Sequence, residues 1–178
     1  LDSGNEEKLE RYGAFVLVRP DPQALWEKKL PASAWEGADA RFVRQGREGE
    51  WKVTPSLPKE WEVDFGGLAM VIKPTSFKHT GLFPEQEPNW NWLREIITAV
   101  PKPPSMLNLF GYTGGATLAA AKAGAEVVHV DASKTAVAWG RENASRSGLT
   151  EKPIRWIVED VLVFARREVK RGNHYDLI

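Results

Sequence analysis

Leu107-Asn108-Leu109-Phe110-Gly111-Tyr112-Thr113-Gly114-Gly115 is the stretch that decides the fold. It opens as a short apolar run and turns glycine-rich, and an alanine-rich segment from Gly115 to Ala123 follows at once and ends at Gly124. That is a strand turning into a helix. Gly111 and Gly114 allow a tight turn and a close approach of backbone to a ligand. The free N–H groups of the following helix favour an anion or carboxylate. Open α/β sheets bind ligands at this carboxyl edge of their strands. The same glycines also suit a tight turn with no ligand at all.

Downstream, Glu126 to Val130 reads as a second strand. A helix runs from Ser133, a good N-cap, to Gly148, a good stop. Ile154 to Val158 is a third strand, and Val161 to Arg171 a third helix with Leu162, Ala165 and Val169 along one side. Tyr175 to Ile178 begins a fourth strand. Such alternation predicts a parallel sheet covered by helices on both faces. Because the sequence stops inside an apolar strand, residues beyond Ile178 are expected in the natural protein.

Upstream, the pattern is short strands broken by Pro and Gly. Phe15 to Arg19 stops at Pro20-Asp21-Pro22; Arg41 to Val43 and Trp51 to Val53 flank a turn at Gln45-Gly46-Arg47-Glu48-Gly49; Trp61 to Phe65 and Leu68 to Ile72 flank Gly66-Gly67. A helix from Asn89 to Val100 carries Trp92, Ile96, Ile97 and Val100 at helical spacing and stops at Pro101. The expected organisation is a small antiparallel β-rich region over residues 1–87, then an α/β Rossmann-like domain over 88–178 of which the front half is visible.

Composition narrows the function classes. The 178 residues hold no cysteine, which excludes disulfides, thiolate metal sites and a cysteine nucleophile within them. Lys plus Arg and Asp plus Glu both number 24, so no basic excess announces nucleic acid. No apolar run is long enough to span a bilayer and no secretory signal opens the chain, so a cytoplasmic protein is the default. Eight tryptophans, six of them before residue 93, read chiefly as buried aromatic mass, with base stacking or an interface as the alternative. His79, His129 and His174 have no metal-ligand spacing, and His129 reads as a satisfied packing residue. Arg166-Arg167-Glu168-Val169-Lys170-Arg171 reads as a solvated helix face.

Two acids sharpen the glycine loop's meaning. Asp131 ends the second strand, where a carboxylate accepts the two hydroxyls of a ribose. Asp160 follows the third, where it suits the exocyclic amine of adenine while Val161 packs on the ring. Either acid also suits the cap of the helix that follows it. A dinucleotide site would show G-x-G-x-x-G, and Gly111-Tyr112-Thr113-Gly114-Gly115 lacks that spacing. One contact at each of three successive strands fits a mononucleoside cofactor better.

At this point Asn108 to Gly115 resembles the first motif of class I S-adenosylmethionine-dependent methyltransferases, and more narrowly the branch of bacterial large-subunit ribosomal RNA methyltransferases. Phe77-Lys78-His79-Thr80-Gly81-Leu82-Phe83-Pro84-Glu85-Gln86 is similar to that branch's upstream Lys-Thr-Gly-Phe-Phe-x-Asp-Gln loop. His79 is inserted between Lys78 and Thr80 or replaces the lysine, Leu82 stands for a Phe, and Glu85 for the Asp. The likeness covers roughly residues 60 to 178.

The resemblance implies S-adenosylmethionine as cofactor and an RNA substrate, with no metal and no membrane. It implies that Asn108 and the backbone of Phe110, Gly111, Tyr112, Thr113 and Gly114 hold the methionine part, while Thr80, Phe83 and Gln86 close over it. Asp131 would bind the ribose, Ala132 and Ser133 would lie beside the adenine, and Asp160 with Val161 would bind the base. Asn143 is implied as a supporting residue, or is a polar helix position. In the resembling enzymes the acceptor-holding motif follows the fourth strand, so this sequence names no catalytic residue. Other acceptors (protein or small molecule), a non-catalytic cofactor-binding module and a nicotinamide-dependent oxidoreductase are the competing readings, the last disfavoured by the glycine spacing.

Overall fold

The computed structural model describes residues 1–45, 48–76 and 78–178. The chain folds as two compact units, one of residues 1–63 and 72–80, the other of residues 64–71 and 81–178.

The first unit holds a five-stranded sheet in the order β1 (Asp2–Gly4), β2 (Glu7–Tyr12), β3 (Phe15–Pro20), β4 (Ala40–Gln45), β5 (Glu48–Val53). Strands β1–β2, β2–β3 and β4–β5 pair antiparallel; the last pair is the one its flanking strands and turn signal predict, while β1 and β2 have no counterpart in the expected strands. Gly46 and Arg47 of the expected β4–β5 turn lie outside the described residues, as does Phe77. One pair departs from the expected antiparallel region: β3 and β4 run parallel. Parallel neighbours need a crossover, and the connection between them, which carries helix α1 (Ala32–Glu36), provides it. Leu9, Val18 and Trp35 form one core cluster of this unit. The buried Arg19 donates to both oxygens of Glu10 (2.6 and 2.8 Å) and to the Tyr12 hydroxyl (2.7 Å), so its charge is paired as well as enclosed.

Strands β6 (Trp61–Phe65) and β7 (Leu68–Ile72) form the expected hairpin. Helix α2 (Glu87–Thr98) comes next, but its packed face differs from the expected one. Trp90, Leu93 and Ile97 are buried, whereas Trp92 is exposed and Val100 lies past the helix, also exposed. Two apolar stripes run side by side on this helix, and tertiary packing selects the one carrying Trp90.

The second unit is built on β8 (Ser105–Leu109), α3 (Gly115–Ala123), β9 (Glu126–Asp131), α4 (Lys134–Arg146), β10 (Ile154–Val158) and α5 (Val161–Arg171). The sheet order is β10-β9-β8, all parallel. Leu177 adds a parallel bridge to Met106 on the free side of β8, with the Leu107 N–H donating to the Leu177 carbonyl (2.9 Å). The sheet therefore grows from β8 toward β9 and β10, then returns to the other side of β8. That reversal makes the carboxyl end of β8 a topological switch point, where such sheets open a crevice.

Period-two alternation splits the strands between two cores. Met106 and Val127 join Leu93, Ile97, Ala120 and Ala121 on one face. Leu107 and Val130 join Val161 and Phe164 on the other. Burying Phe164 contributes about 2–3 kcal/mol. On α5 the expected face is again displaced by one position: Val161, Phe164 and Glu168 are buried, while Leu162 and Val169 are exposed. A carboxylate inside the packed stripe disguised it, because Glu168 is satisfied by the last residue of the helix and by two that follow it. It accepts from the Tyr175 hydroxyl (2.6 Å), Asn173 Nδ2 (2.7 Å) and Arg171 (3.0 Å). Arg166, Arg167, Lys170 and Arg171 are exposed as expected.

The tryptophans divide. Trp35, Trp90 and Trp139 are buried, Trp26 and Trp92 are exposed, and the other three are half-buried. No helix among the described residues is long and apolar enough to cross a membrane.

Candidate cofactor-binding site

The carboxyl end of β8 opens into a cleft of about 460 Å³ within the second unit. The loop after β8 makes one wall. In it the backbone is left-handed at Phe110 (φ 56°), Tyr112 (φ 50°) and Gly114 (φ 89°). Only the last is a glycine, so the conformation costs Phe110 and Tyr112 about 1–2 kcal/mol each. Tyr112 has compensation: its N–H donates to Asp131 Oδ2 (2.9 Å), and its ring packs on Phe83 (centroids 5.3 Å apart) and Trp139 (6.4 Å).

The two loop glycines serve different ends. A Cβ on Gly114 would find ordinary contacts at 3.5 Å, so glycine is needed there for its left-handed φ. A Cβ on Gly111 would lie 2.4 Å from the His129 ring, so glycine is needed there for space.

That ring belongs to a row beneath the loop. Asn108, His129 and Trp156 are register neighbours on adjacent strands. Asn108 Nδ2 donates to the Thr117 hydroxyl (2.8 Å), which pairs with His129 Nδ1 (2.9 Å). The His129 and Trp156 rings lie 4.6 Å apart. Burial brings the His129 pKa down to about 4, with nearby Arg141 adding to the shift against the opposing pull of Asp131. The imidazole is thus neutral at pH 7. It is a packing residue as expected but only half satisfied, since its Nε2 has no hydrogen-bond partner among the described residues.

Asp131 ends β9 beside the loop. Its Oδ2 takes the Tyr112 N–H and its Oδ1 the Ser133 N–H (2.8 Å), and each oxygen keeps a second acceptor site. Asn143, the implied supporting residue, is fully buried: Oδ1 accepts from the Val71 N–H (2.9 Å) and Nδ2 donates to the Thr113 carbonyl (2.9 Å). The Thr113 hydroxyl donates to the Gly81 carbonyl (2.6 Å), so this side chain ties the loop to the upstream segment.

The cleft brings together Phe83, Gln86, Asn108, Phe110, Gly111, Tyr112 and Thr113 of the residues singled out from sequence. Gly114 turns the loop behind that surface. Thr80 is buried, and its hydroxyl has no partner among the described residues. Asp131, Ala132, Ser133, Asp160 and Val161 lie at the ends of β9 and β10, outside the cleft but joined at one point, where the Glu159 N–H donates to the Asp131 carbonyl (3.1 Å). Asp160 caps α5, accepting from the Val163 N–H at 3.0 Å, and Ser133 caps α4. Val161 is buried in the core against Phe164. Sequence reasoning missed Trp90, Leu82 and Met70 as lining residues. Trp90 had a signal, because its stripe on α2 is as apolar as the one chosen.

Among the described residues lining the cleft, Glu85 carries the only charge, and neither lysine nor arginine takes part. Phe83, Trp90, Phe110 and Tyr112 supply aromatic surface. Such a lining suits a ligand with positive charge and apolar bulk, through the carboxylate and the ring faces. It offers a pyrophosphate no cation, only the N–H groups at the start of α3. No group of acids and histidines placed to hold a metal ion occurs among the described residues.

No family model matches the chain. Over 139 residues it is 36% identical to ribosomal RNA large subunit methyltransferase K/L of Syntrophotalea carbinolica, covering 76% of this chain and 18% of that protein. Over 126 residues it is 32% identical to ribosomal RNA large subunit methyltransferase I of Aeromonas salmonicida, covering 70% of this chain and 30% of that one. The chain thus spans well under half the length of these curated relatives. Among solved structures, the S-adenosylmethionine-dependent methyltransferase from Agrobacterium tumefaciens superposes with a TM-score of 0.95 at 46% identity, over 99% of this chain and 57% of that one. A candidate S-adenosylmethionine-dependent methyltransferase from Streptococcus mutans gives a TM-score of 0.75 at 18% identity, over 98% and 49%, a likeness of fold. By fold and by these likenesses, the chain is a class I S-adenosylmethionine-dependent methyltransferase domain resembling the bacterial large-subunit ribosomal RNA branch.

Proposed function

We propose that this chain binds S-adenosylmethionine at the carboxyl end of β8 and that the protein it belongs to methylates a base of ribosomal RNA. The observation that carries the reading is the cleft's lining: one carboxylate, four aromatic rings and no cation, at the switch point of the sheet. S-adenosylmethionine carries an ammonium, a sulfonium and one carboxylate, and no phosphate; its cations match Glu85 and the ring faces and its carboxylate the free N–H groups at the start of α3, whereas the pyrophosphate of a dinucleotide would find no cation here. When bound, it supplies an electrophilic methyl group.

The residues present fit it part by part. Asn108 and the loop backbone from Phe110 to Gly114 receive the methionine portion, with Phe83 and Gln86 alongside. The Asp131 carboxylate has acceptor sites left for ribose hydroxyls after holding Tyr112 and Ser133. Ala132 and Ser133 border the adenine. Capping α5 occupies one oxygen of Asp160 and leaves the other for an exocyclic amine. These groups bind and orient, which is much of what methyl transfer requires. The ribosomal substrate rests on the named relatives, and a cytoplasmic location follows from that substrate.

The test is a calorimetric titration of the natural-length protein with S-adenosylmethionine, S-adenosylhomocysteine and NAD, followed by transfer of labelled methyl to large-subunit ribosomal RNA. Micromolar binding of the two sulfur compounds, none of NAD, and labelled RNA are expected. Cofactor binding without transfer to RNA would move the assignment to a protein or small-molecule acceptor, or to a docking module. No binding of either sulfur compound by folded protein would overturn it.

A further inference from the structure

We infer that Thr117 and His129 are positioning residues for the cofactor: they hold Asn108 by its amide nitrogen and leave its carbonyl oxygen as the acceptor for the ammonium of S-adenosylmethionine. The assignment rests on the cofactor reading above. Asn108 lines the cleft, whereas Thr117 and His129 are fully buried and do not. Asn108 Nδ2 donates to the Thr117 hydroxyl, which has one proton of its own to give. Its other partner is His129 Nδ1, 2.9 Å away. A hydroxyl that accepts on one side donates on the other, so the row has a direction, from Asn108 through Thr117 to His129. The ring can take that proton because burial keeps it neutral. Its own proton then sits on Nε2, which is buried without a partner among the described residues. An unpaired buried donor costs stability, and an apolar side chain in place of His129 would avoid the cost. What the imidazole adds is the acceptor at Nδ1. The ring is held there, with Trp156 packed on it and Gly111 so close that a Cβ would come within 2.4 Å.

The direction of the row decides what the cofactor meets. With Nδ2 bound to Thr117, Oδ1 is the polar atom of Asn108 left over, and it has no hydrogen-bond partner among the described residues. An amide oxygen only accepts. The methionine part of the cofactor ends in an ammonium, which has donors, and a carboxylate, which has none. The oxygen therefore suits the ammonium, and the carboxylate is served by the free N–H groups at the start of α3. Glu85, the one charge in the described lining, attracts the same ammonium. If Thr117 gave its proton to Asn108 instead, the amide would turn over and set an NH2 group against the ammonium, donor against donor. The two ends of an amide are alike in size, so Asn108 cannot make this choice alone. Thr117 and His129 make it.

The experiment measures the affinity of the natural-length protein for S-adenosylhomocysteine and for 5′-methylthioadenosine, two thioethers of which only the first carries the amino-acid end. Wild type is compared with Thr117→Val, Thr117→Ser, His129→Leu and the double variant Thr117→Val/His129→Leu, each also unfolded in urea. Thr117→Val and His129→Leu should each lower S-adenosylhomocysteine affinity about tenfold, the value of one hydrogen bond to a charged group, and leave 5′-methylthioadenosine binding unchanged. Thr117→Ser keeps the hydroxyl and should bind both ligands as wild type does. The double variant, with both buried partners apolar, should unfold at a higher urea concentration than Thr117→Val and still show the tenfold loss. Stability and affinity then part, which a merely structural role would not allow, and this variant carries the test where a single one fails to fold. Undiminished S-adenosylhomocysteine affinity in folded Thr117→Val would overturn the assignment and leave the cofactor reading intact. So would an unchanged His129→Leu, by showing that Thr117 gives its proton to Asn108. An equal loss for both ligands would overturn it as well, by making the row a support for the whole loop. A wild type that binds neither ligand would remove the cofactor reading itself, and this assignment with it.

Discussion

Gly111 and Asp131 show how single residues make the loop after β8 what it is. Gly111 is held to glycine by the His129 ring, which lies 2.4 Å from where a Cβ would be. That ring cannot retreat, because it is fully buried against Trp156. Gly111→Ala should therefore cost about 1–3 kcal/mol of stability, the range for overpacking a core. A smaller partner should recover part of it: the double variant with His129→Ala should show a favourable coupling in a denaturant-unfolding cycle. Strict additivity would mean the contact is not what constrains Gly111. Asp131 works by acceptance. Asp131→Ala should weaken S-adenosylmethionine binding by about 1–3 kcal/mol, the value of hydrogen bonds to a charged acceptor. A folded Asp131→Ala protein with undiminished affinity by calorimetry would take this carboxylate out of the site. Gly114 belongs to a different mechanism, since space is available and only its φ of 89° restricts the choice.

At the scale of elements, α4 does more than cover the sheet. Its side chains serve the polar edge of β7 as a partner strand would. Asn143 Oδ1 takes the Val71 N–H, Trp139 Nε1 donates to the Val71 carbonyl (3.0 Å), and the Ser147 hydroxyl just past the helix takes the Ala69 N–H (3.0 Å). An edge that could pair with another chain is thereby closed. Asn143→Ala would strand one buried donor on β7 and one buried acceptor on the loop after β8. A loss of about 2–4 kcal/mol in chemical unfolding is expected, with weaker cofactor binding because Thr113 is released. A loss below about 0.5 kcal/mol would show that these groups find other partners. The elements themselves were legible in the sequence: α3, α5, β6, β7 and β10 begin and end where glycine, proline and capping signals put them. The faces of α2 and α5 were not. Each carries two apolar stripes one position apart, and the choice falls to partners distant in sequence or, for Glu168, to two donors beyond the helix end and one in its last turn. The loop and Asp131 could be located because backbone geometry demands particular residue types at a strand end. The residues that complete the cleft, Trp90 and Met70, reach it only through packing.

Across the whole molecule, balanced charge leaves pH sensitivity to a few enclosed groups, and their signs define a stability window. His129 is held at about 4 by burial, below its ordinary 6.5. Between those values the unfolded chain binds the proton and the folded chain does not, so folding stability rises with pH across this interval. The contribution is complete above about pH 6.5 and is lost as the pH falls toward 4, amounting to about 3 kcal/mol. Glu168 acts at lower pH. The Tyr175 hydroxyl, then Asn173, and then Arg171 depress its pKa against the pull of burial, so its contribution is present above the ordinary carboxylate value and is lost as pH falls through the folded one. Tyr175 closes the window from the other side. Burial, then Glu168, push its phenol up to about 12, so its contribution is whole below 10 and disappears as pH rises through 12. Unfolding free energy measured in urea at a series of pH values should thus be flat from about 7 to 10 and decline on both sides. The acid limb should begin near 6.5, well above any carboxylate, and His129→Gln should remove most of that first segment, leaving the part due to His79, which burial and then Arg19 and Lys78 also hold below the ordinary value, and the fall below 4.5. A wild-type profile that stays flat down to pH 5 would mean His129 takes up its proton inside the fold, through an opening of the loop above it. Cofactor affinity, not stability, would then carry the pH dependence.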